Sequence, residues 1–391
     1  MRAESLALHN LRNHRETSVR ELAPQINVFA GPNGAGKTSI LEGIALATLT
    51  KSFTTSSDIA LLSQGADSLH IDANFVSELS VPIHVQVDLA PGPPLRKSIF
   101  VNAERLRSAS DLIGRAPVVV LTPDDKIITN GPPAERRRFL NVVLSQASRA
   151  YLEHEIEFRR ALKQRNSILN DAKQSRRSLS AIKPILEPWT DLVIQHASKV
   201  MLRRAKFTEE FKPFLLQAYQ LVSESKEEPD VSYQPLGLEV QSLDKLDIQE
   251  FLREQLRSLE VDELRRGTSL IGAHRDDLLL SINPGSPARD HASQGQHKTL
   301  LVAMKIAEFR YLEEAAGERP IMLLDDVFSE LDSMRAARLL ELAASGVFGQ
   351  TLITSTERAI FEQSLEFRNG EHHLFIVENG NVLNATERAL S

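Results

Sequence analysis

Apolar and polar positions fall into three regimes along the chain. In the first 120 residues, short apolar runs and strict alternation dominate. Ile71, Ala73 and Phe75 alternate with polar neighbours, as do Ile83, Val85 and Val87, and ELSVP between them reads as a turn, so His70 to Leu89 predicts a half-buried antiparallel strand pair. Pro91 to Pro94 predicts a hairpin tip or loop. The run QINVFA, Gln25 to Ala30, is a short apolar strand, and Ile40, Leu41, Ile44, Leu46 and Leu49 then recur at helical spacing. A buried strand, PVVVL at Pro117 to Leu121, closes this regime.

After the breaker Gly131 to Pro133 the period becomes helical. Phe139, Leu140, Val143 and Leu144 form one apolar stripe, and Leu152, Ile156, Leu162 and Leu169 form another. A third helix is expected between Pro188 and Leu221, through Trp189, Leu192, Val193, Val200 and Leu202. The acidic ESKEEPD, Glu224 to Asp230, reads as a solvated turn, followed by helix from about Asp247 to Arg266 and a strand at Leu278 to Asn283. The last third alternates: helix from about Gln296 to Ala316, strand PIMLLDD, helix Ser333 to Ala344, strand QTLIT, and a strand pair turning at Asn379-Gly380. That alternation predicts an α/β class with a mostly parallel sheet.

At 391 residues the chain exceeds what one hydrophobic core usually fills, so two domains or one large insertion is expected. No apolar run reaches the length of a membrane span and the N-terminal stretch lacks the apolar core of a secretory signal, so a cytoplasmic protein is expected. The absence of cysteine excludes disulfides, thiolate metal sites and thiol nucleophiles. Net charge is -6, but its distribution is uneven: Ala134 to Lys206 carries sixteen Lys and Arg against seven Asp and Glu, a basic segment in an acidic protein.

Candidate chemistry begins at GPNGAGKT, residues Gly31 to Thr38, which completes G-x-x-x-x-G-K-[ST] after a strand and at the start of a helix. Glycines let backbone N–H groups surround a phosphate at the positive end of the helix; Lys37 would reach the β- and γ-phosphates, and the Thr38 hydroxyl would ligate magnesium. Asp325 ends a buried strand, where a carboxylate needs hydrogen bonds or a cation, and so is the expected second magnesium ligand. Asp326 beside it would orient or deprotonate the attacking water. Lys37 and Asp325 stand 288 positions apart, more than one βαβ unit requires, so the basic helical stretch is read as an insertion. In ASQGQHKTLL, Ala292 to Leu301, Ser293 and Gly295 precede a helix, giving either an ordinary N-cap or an anion contact; with the phosphates already held by the glycine loop, that contact would be made to the nucleotide of a second copy.

The SQGQ signature, followed some thirty positions later by LLDDVFSELD (Leu323 to Asp332), resembles the SMC group of ABC-type ATPases, and within it the RecF family. LRNHRE, PDDKIITNGPPAERRRFLN, LKQRN and IGAHRDDLLL agree in the same order across essentially the whole chain. The resemblance implies a discontinuous ABC-type P-loop ATPase head with an antiparallel β subdomain and an inserted α-helical arm. The expected division is 1–133 for the N-terminal part of the head, 134–262 for the arm and 263–391 for the C-terminal part. It implies ATP and Mg2+ as cofactors and weak DNA-dependent ATPase activity. Its implied partners are an ATP-dependent homodimer, double-stranded or gapped DNA, and RecO and RecR, with which it would assist RecA loading in recombinational repair.

By position, the nucleotide would be held by Gly31, Pro32, Asn33, Gly34, Ala35, Gly36, Lys37, Thr38 and Ser39, with Arg12 and Asn13, and in trans by Ser293, Gly295 and Gln296. Ser329 to Asp332 would link the two sites. Asp326, shorter than the glutamate of many ABC proteins, and Thr354-Ser355-Thr356 at the place of a switch histidine fit slow hydrolysis. His14 and Ala273 depart from the family pattern, and no glutamine near Val118 to Asp125 fits a Q-loop. Arg136, Arg137, Arg138, Arg159, Arg160, Lys163 and Arg165, with Arg176, Arg177, Arg203, Arg204 and Lys206, are expected to meet DNA phosphates without reading sequence. His274 and Arg275 are expected at the ATPase interface. The long basic insertion disfavours a transporter ATPase subunit, the insertion cannot supply the sustained heptads of a long-armed SMC scaffold, and a small-molecule phosphotransferase leaves the signature and the basic helices unexplained.

Overall fold

The computed structural model describes residues 1–90, 92, 96–237, 245–367 and 370–388. The expected loop at Pro91 to Pro94 lies outside them apart from Gly92. In chain order the strands are β1 (Arg2–Leu11), β2 (His14–Val19), β3 (Ile26–Ala30), β4 (Leu69–Val76), β5 (Pro82–Ala90), β6 (Arg96–Val101), β7 (Glu104–Arg105), β8 (Val118–Leu121), β9 (Asp230–Gln234), β10 (Asp277–Asn283), β11 (Ser286–Pro287), β12 (Ile321–Asp325), β13 (Thr351–Ser355), β14 (His372–Glu378) and β15 (Asn381–Asn384).

The chain divides into two compact units. The first comprises residues 1–125, 218–225 and 301–391. It contains an antiparallel sheet ordered β2-β1-β4-β5-β6-β7 and a second sheet ordered β15-β14-β3-β13-β12-β8. In the second sheet β14, β3, β13, β12 and β8 run parallel, and only β15 returns antiparallel across the Asn379-Gly380 turn. Strands β3, β12 and β13 are buried at every position, so they read as continuous apolar runs, whereas β4 alternates because one of its faces is less buried. The helix Lys37–Leu49 packs within the core that both sheets share, burying Lys37 and every residue from Ser39 to Thr48. Burial on all sides explains why its apolar residues do not form a single stripe.

The second unit comprises residues 126–217 and 226–300. It holds the helices Pro133–Ala147 and Arg149–Gln174, most of Leu179–Val222, the helices Lys245–Ser258 and Glu260–Arg266, and the sheet β11-β10-β9. Where a helix was expected to begin near Pro188, one helix runs from Leu179 through Pro184, Pro188 and Pro213. Ile182 and Leu186 cluster with Leu169 and Ala172, and this packing outweighs the backbone hydrogen bonds that the prolines cannot donate. The expected division at 262/263 also differs from the observed one. Residues 263–300 belong with the helical unit because β10 pairs with β9 and Glu263 is tied to Arg165.

Among the described residues no helix is long and apolar enough to cross a membrane.

Candidate active site

The glycine loop follows β3 and Asp325 ends β12, so both lie at the carboxyl ends of parallel strands, where open α/β sheets usually bind ligands. After Ala30 the chain turns through the glycine loop, where Gly31 N–H donates to Ser355 O (3.2 Å). A β-carbon on Gly31 would lie 2.2 Å from Val377 O. One on Gly36, whose φ is 110°, would lie 2.5 Å from His14 Nε2, so close approach and backbone conformation both demand glycine there. Gly36 also supplies no side-chain acceptor to cap the Lys37–Leu49 helix, whose positive end therefore faces the loop. Lys37 Nζ donates to Gly31 O (2.8 Å) and Pro32 O (2.9 Å). Burial lowers its pKa, against the raising influence of Asp326 and Asp325.

Thr38 and Asp325, 287 positions apart, meet directly: Thr38 Oγ1 donates to Asp325 Oδ1 at 2.9 Å. Thr354 Oγ1 donates to the same oxygen at 2.7 Å. Burial pushes the Asp325 carboxyl up, while the two hydroxyl donors hold it down. Asp326 sits in the left-handed region at φ 50°, its N–H donates to Thr354 Oγ1 (2.9 Å), and its Oδ1 is buried with no hydrogen-bond partner. A buried carboxylate oxygen without a partner carries a desolvation cost that a water or cation would relieve.

The N-terminal segment braces the loop more closely than its sequence indicated. His14 is fully buried; its Nε2 donates to Gly36 O (2.9 Å), and its Nδ1 lies 2.9 Å from Thr17 Oγ1 and 3.0 Å from Gly380 O. Asn13 Nδ2 donates to Gly34 O (3.1 Å), and Gly380 N–H donates to Ala35 O (2.9 Å). Only the NH pair after an early strand and the later NG turn hinted at this clamp. Arg12 grips both carboxylate oxygens of Glu42 (3.1 Å each) and also donates to Thr54 Oγ1 and Ala60 O, so its contribution here is to fix the glycine-loop helix. Glu42 was not singled out by the sequence because it sits among helical apolar residues.

Ser293, Gly295 and Gln296 lie in the second unit. Ser293 N–H donates to Gln296 Oε1 (2.7 Å), and Gln296 N–H donates to Ser293 Oγ (3.3 Å). This reciprocal pair is a capping box at the start of the Gln294–Ala316 helix, and Gln296 Nε2 also donates to Glu227 Oε1 (2.5 Å).

The basic cluster separates by burial. Arg136 is buried and bidentate on Asp277 (2.8 Å on both arms). Arg165 is buried against Glu263 Oε2 (2.6 Å), Ser269 Oγ and Thr190 Oγ1. Neither guanidinium is available to DNA in this conformation, which corrects the sequence expectation. Arg204 likewise points inward, to Ala273 O, Tyr151 and Asn141. Arg137, partly buried, donates to Asp276 O (2.6 Å). His274 and Arg275, expected at the ATPase interface, both bond Ser269 O within the helical unit. Arg138, Arg159, Arg160 and Lys163 remain exposed, and among the described residues the arginines pair with glutamates one helical turn away.

Burial therefore predicts opposite behaviour for two arginines. Removing the Arg165 side chain strands Glu263 without its buried cation, so R165A should lose about 3–5 kcal/mol of stability in denaturant unfolding. R160A, which loses only an exposed pair with Glu157, should leave stability within about 0.5 kcal/mol of wild type. An R165A that unfolds like wild type would refute the structural assignment of this arginine.

Residues 5–228 match the AAA-domain family. The chain is 39% identical over 364 residues to the DNA replication and repair protein RecF of Chloroherpeton thalassium, covering 93% of this chain and 97% of that one. It is 36% identical to the RecF of Salinibacter ruber, covering 96% and 90%. The chain belongs to the RecF family. A solved structure described as the recombination mediator protein RecF with ATP, in the RecFOR pathway, superposes on this RecF-family chain with a TM-score of 0.87 at 25% identity, covering 98% and 97%. An Smc head bound to the C-winged helix domain of ScpA shares the fold at a TM-score of 0.55 and 13% identity, covering 100% and 99%. The expected fold, an ABC-type ATPase head with an antiparallel subdomain, is thus the observed one.

Proposed function

We propose that this chain binds and slowly hydrolyses ATP in DNA repair, dimerising around the nucleotide on duplex or gapped DNA. The observation that carries the reading is the 2.9 Å bond between Thr38 and Asp325, which joins the glycine loop to the acid-bearing strand across 287 positions. The similar RecF structure described with ATP supports the choice of nucleotide. The hydroxyl of Thr38 and the carboxylate of Asp325 are hard oxygen donors within hydrogen-bond distance of one another, a set that suits magnesium. When bound, the metal would neutralise charge developing on the β- and γ-phosphates. Lys37 would leave the loop carbonyls for the phosphates, and Asp326 would hold the attacking water with its unpaired oxygen. Its short side chain and the absence of a switch histidine favour a slow timer over a motor.

Ser293 would complete the site of a second copy, exchanging its capping role for a contact with the γ-phosphate. RecO, RecR and RecA as partners, a cytoplasmic location, and DNA contacts through Arg138, Arg159, Arg160 and Lys163 follow from the family reading and from exposure. The test is light scattering with ATP, with and without duplex DNA. The wild-type mass should double with ATP, whereas S293R, which places a bulky cation in the signature, should remain a monomer. An S293R protein that dimerises as readily as wild type would sink the sandwich.

A further inference from the structure

Strands β12 and β13 pair in parallel with Asp325 opposite Thr354. That register leaves the Thr354 side chain fully buried beside the two acids. A hydroxyl has one proton and two lone pairs, and Thr354 spends them on both carboxylate residues: the proton goes to Asp325 Oδ1 (2.7 Å), and the oxygen accepts the Asp326 N–H (2.9 Å). We propose that Thr354 is a positioning residue of the ATPase site, one hydroxyl that fixes the Asp325 carboxylate and holds Asp326 in its left-handed conformation.

Three observations support this role over simple core filling. The donor shares Asp325 Oδ1 with Thr38, so the carboxylate is pinned from the strand side and from the glycine-loop side at once. Asp326 is a non-glycine residue at φ 50°, a conformation that aspartate reaches at a modest cost, and the bond from its N–H to Thr354 stabilises it there. The following Ser355 turns away, its Oγ accepting Glu357 N–H, so it does not share the task. Thr356 is exposed, so Thr354 is the hydroxyl of this segment that acts on the acids.

The inference rests on the ATPase reading above, and the experiment separates the two. Wild type, T354V and T354S are compared for Mg2+-dependent ATP binding by equilibrium dialysis and for steady-state turnover. T354V keeps the shape and removes both bonds; it should lower kcat at least about tenfold while KM for ATP moves less than about threefold, because the acids act on bond breaking more than on holding the nucleotide. The Mg2+ concentration for half-maximal ATP binding should rise severalfold. T354S, which keeps the hydroxyl, should restore both quantities to within about threefold of wild type. Equal losses in T354V and T354S, or a T354V Mg2+ curve superimposable on wild type, would overturn the positioning role alone. Wild-type protein that binds no ATP would overturn both readings. Should T354V fail to fold, T354S decides: a serine variant with defective Mg2+ dependence overturns the proposal.

Discussion

Lys37→Arg should bring ATP turnover down by about a hundredfold or more while leaving part of the ATP affinity intact. The substitution keeps the positive charge, so a purely electrostatic role would survive it. The site is built for a point charge: Lys37 is buried, and its ammonium sits within 2.9 Å of two carbonyls of its own loop. A planar guanidinium is larger and offers its donors in a fixed fork, so it cannot occupy the same place without displacing the loop whose backbone must surround the phosphate. Lys37 would meet only the phosphates, so the adenine and ribose would keep their contacts, hence the expected residual binding. Phosphate release and equilibrium binding measured on the same preparation check both halves; turnover near wild type would refute the assignment.

Asp326→Asn should separate activity from stability. Asparagine tolerates φ 50° better than most residues and brings no charge into a place where the aspartate leaves one oxygen buried and unpartnered. The variant should therefore unfold within about 1 kcal/mol of wild type, or above it. Hydrolysis should fall by about a hundredfold, because the amide cannot take a proton from water. ATP-dependent dimers should then outlast those of wild type. Asp326→Ala, which lacks the local polar group favoured in this conformation, should cost about 1 kcal/mol more than the asparagine variant. Denaturant unfolding and single-turnover hydrolysis test the pair; an asparagine variant that hydrolyses normally would remove Asp326 from the mechanism.

The glycine loop and the two acids were legible because each is a local motif in a local context, a strand followed by a loop or a strand ending in charge. The arginines were not. Arg136, Arg160 and Arg165 look alike in sequence, and only the positions of Asp277 and Glu263, far along the chain, determine which of them point inward. The same limit concealed His14, whose partners at Gly36 and Gly380 are 22 and 366 positions away. Helix limits failed where tertiary packing carried the Leu179–Val222 helix through its prolines. The unit division escaped because the Gln294–Ala316 helix crosses it without any break in composition.

The strand that leads into the glycine loop has a consequence for synthesis. β3 finds both its neighbours in β13 and β14, from the last fifty residues or so of the chain. As the protein leaves the ribosome, β3 and the loop it launches must wait with unpaired edges while more than three hundred residues are made. The helical unit can compact in the meantime. The site consequently closes as one of the last events of folding, and a truncated or stalled chain exposes a bare apolar strand in place of a half-working enzyme.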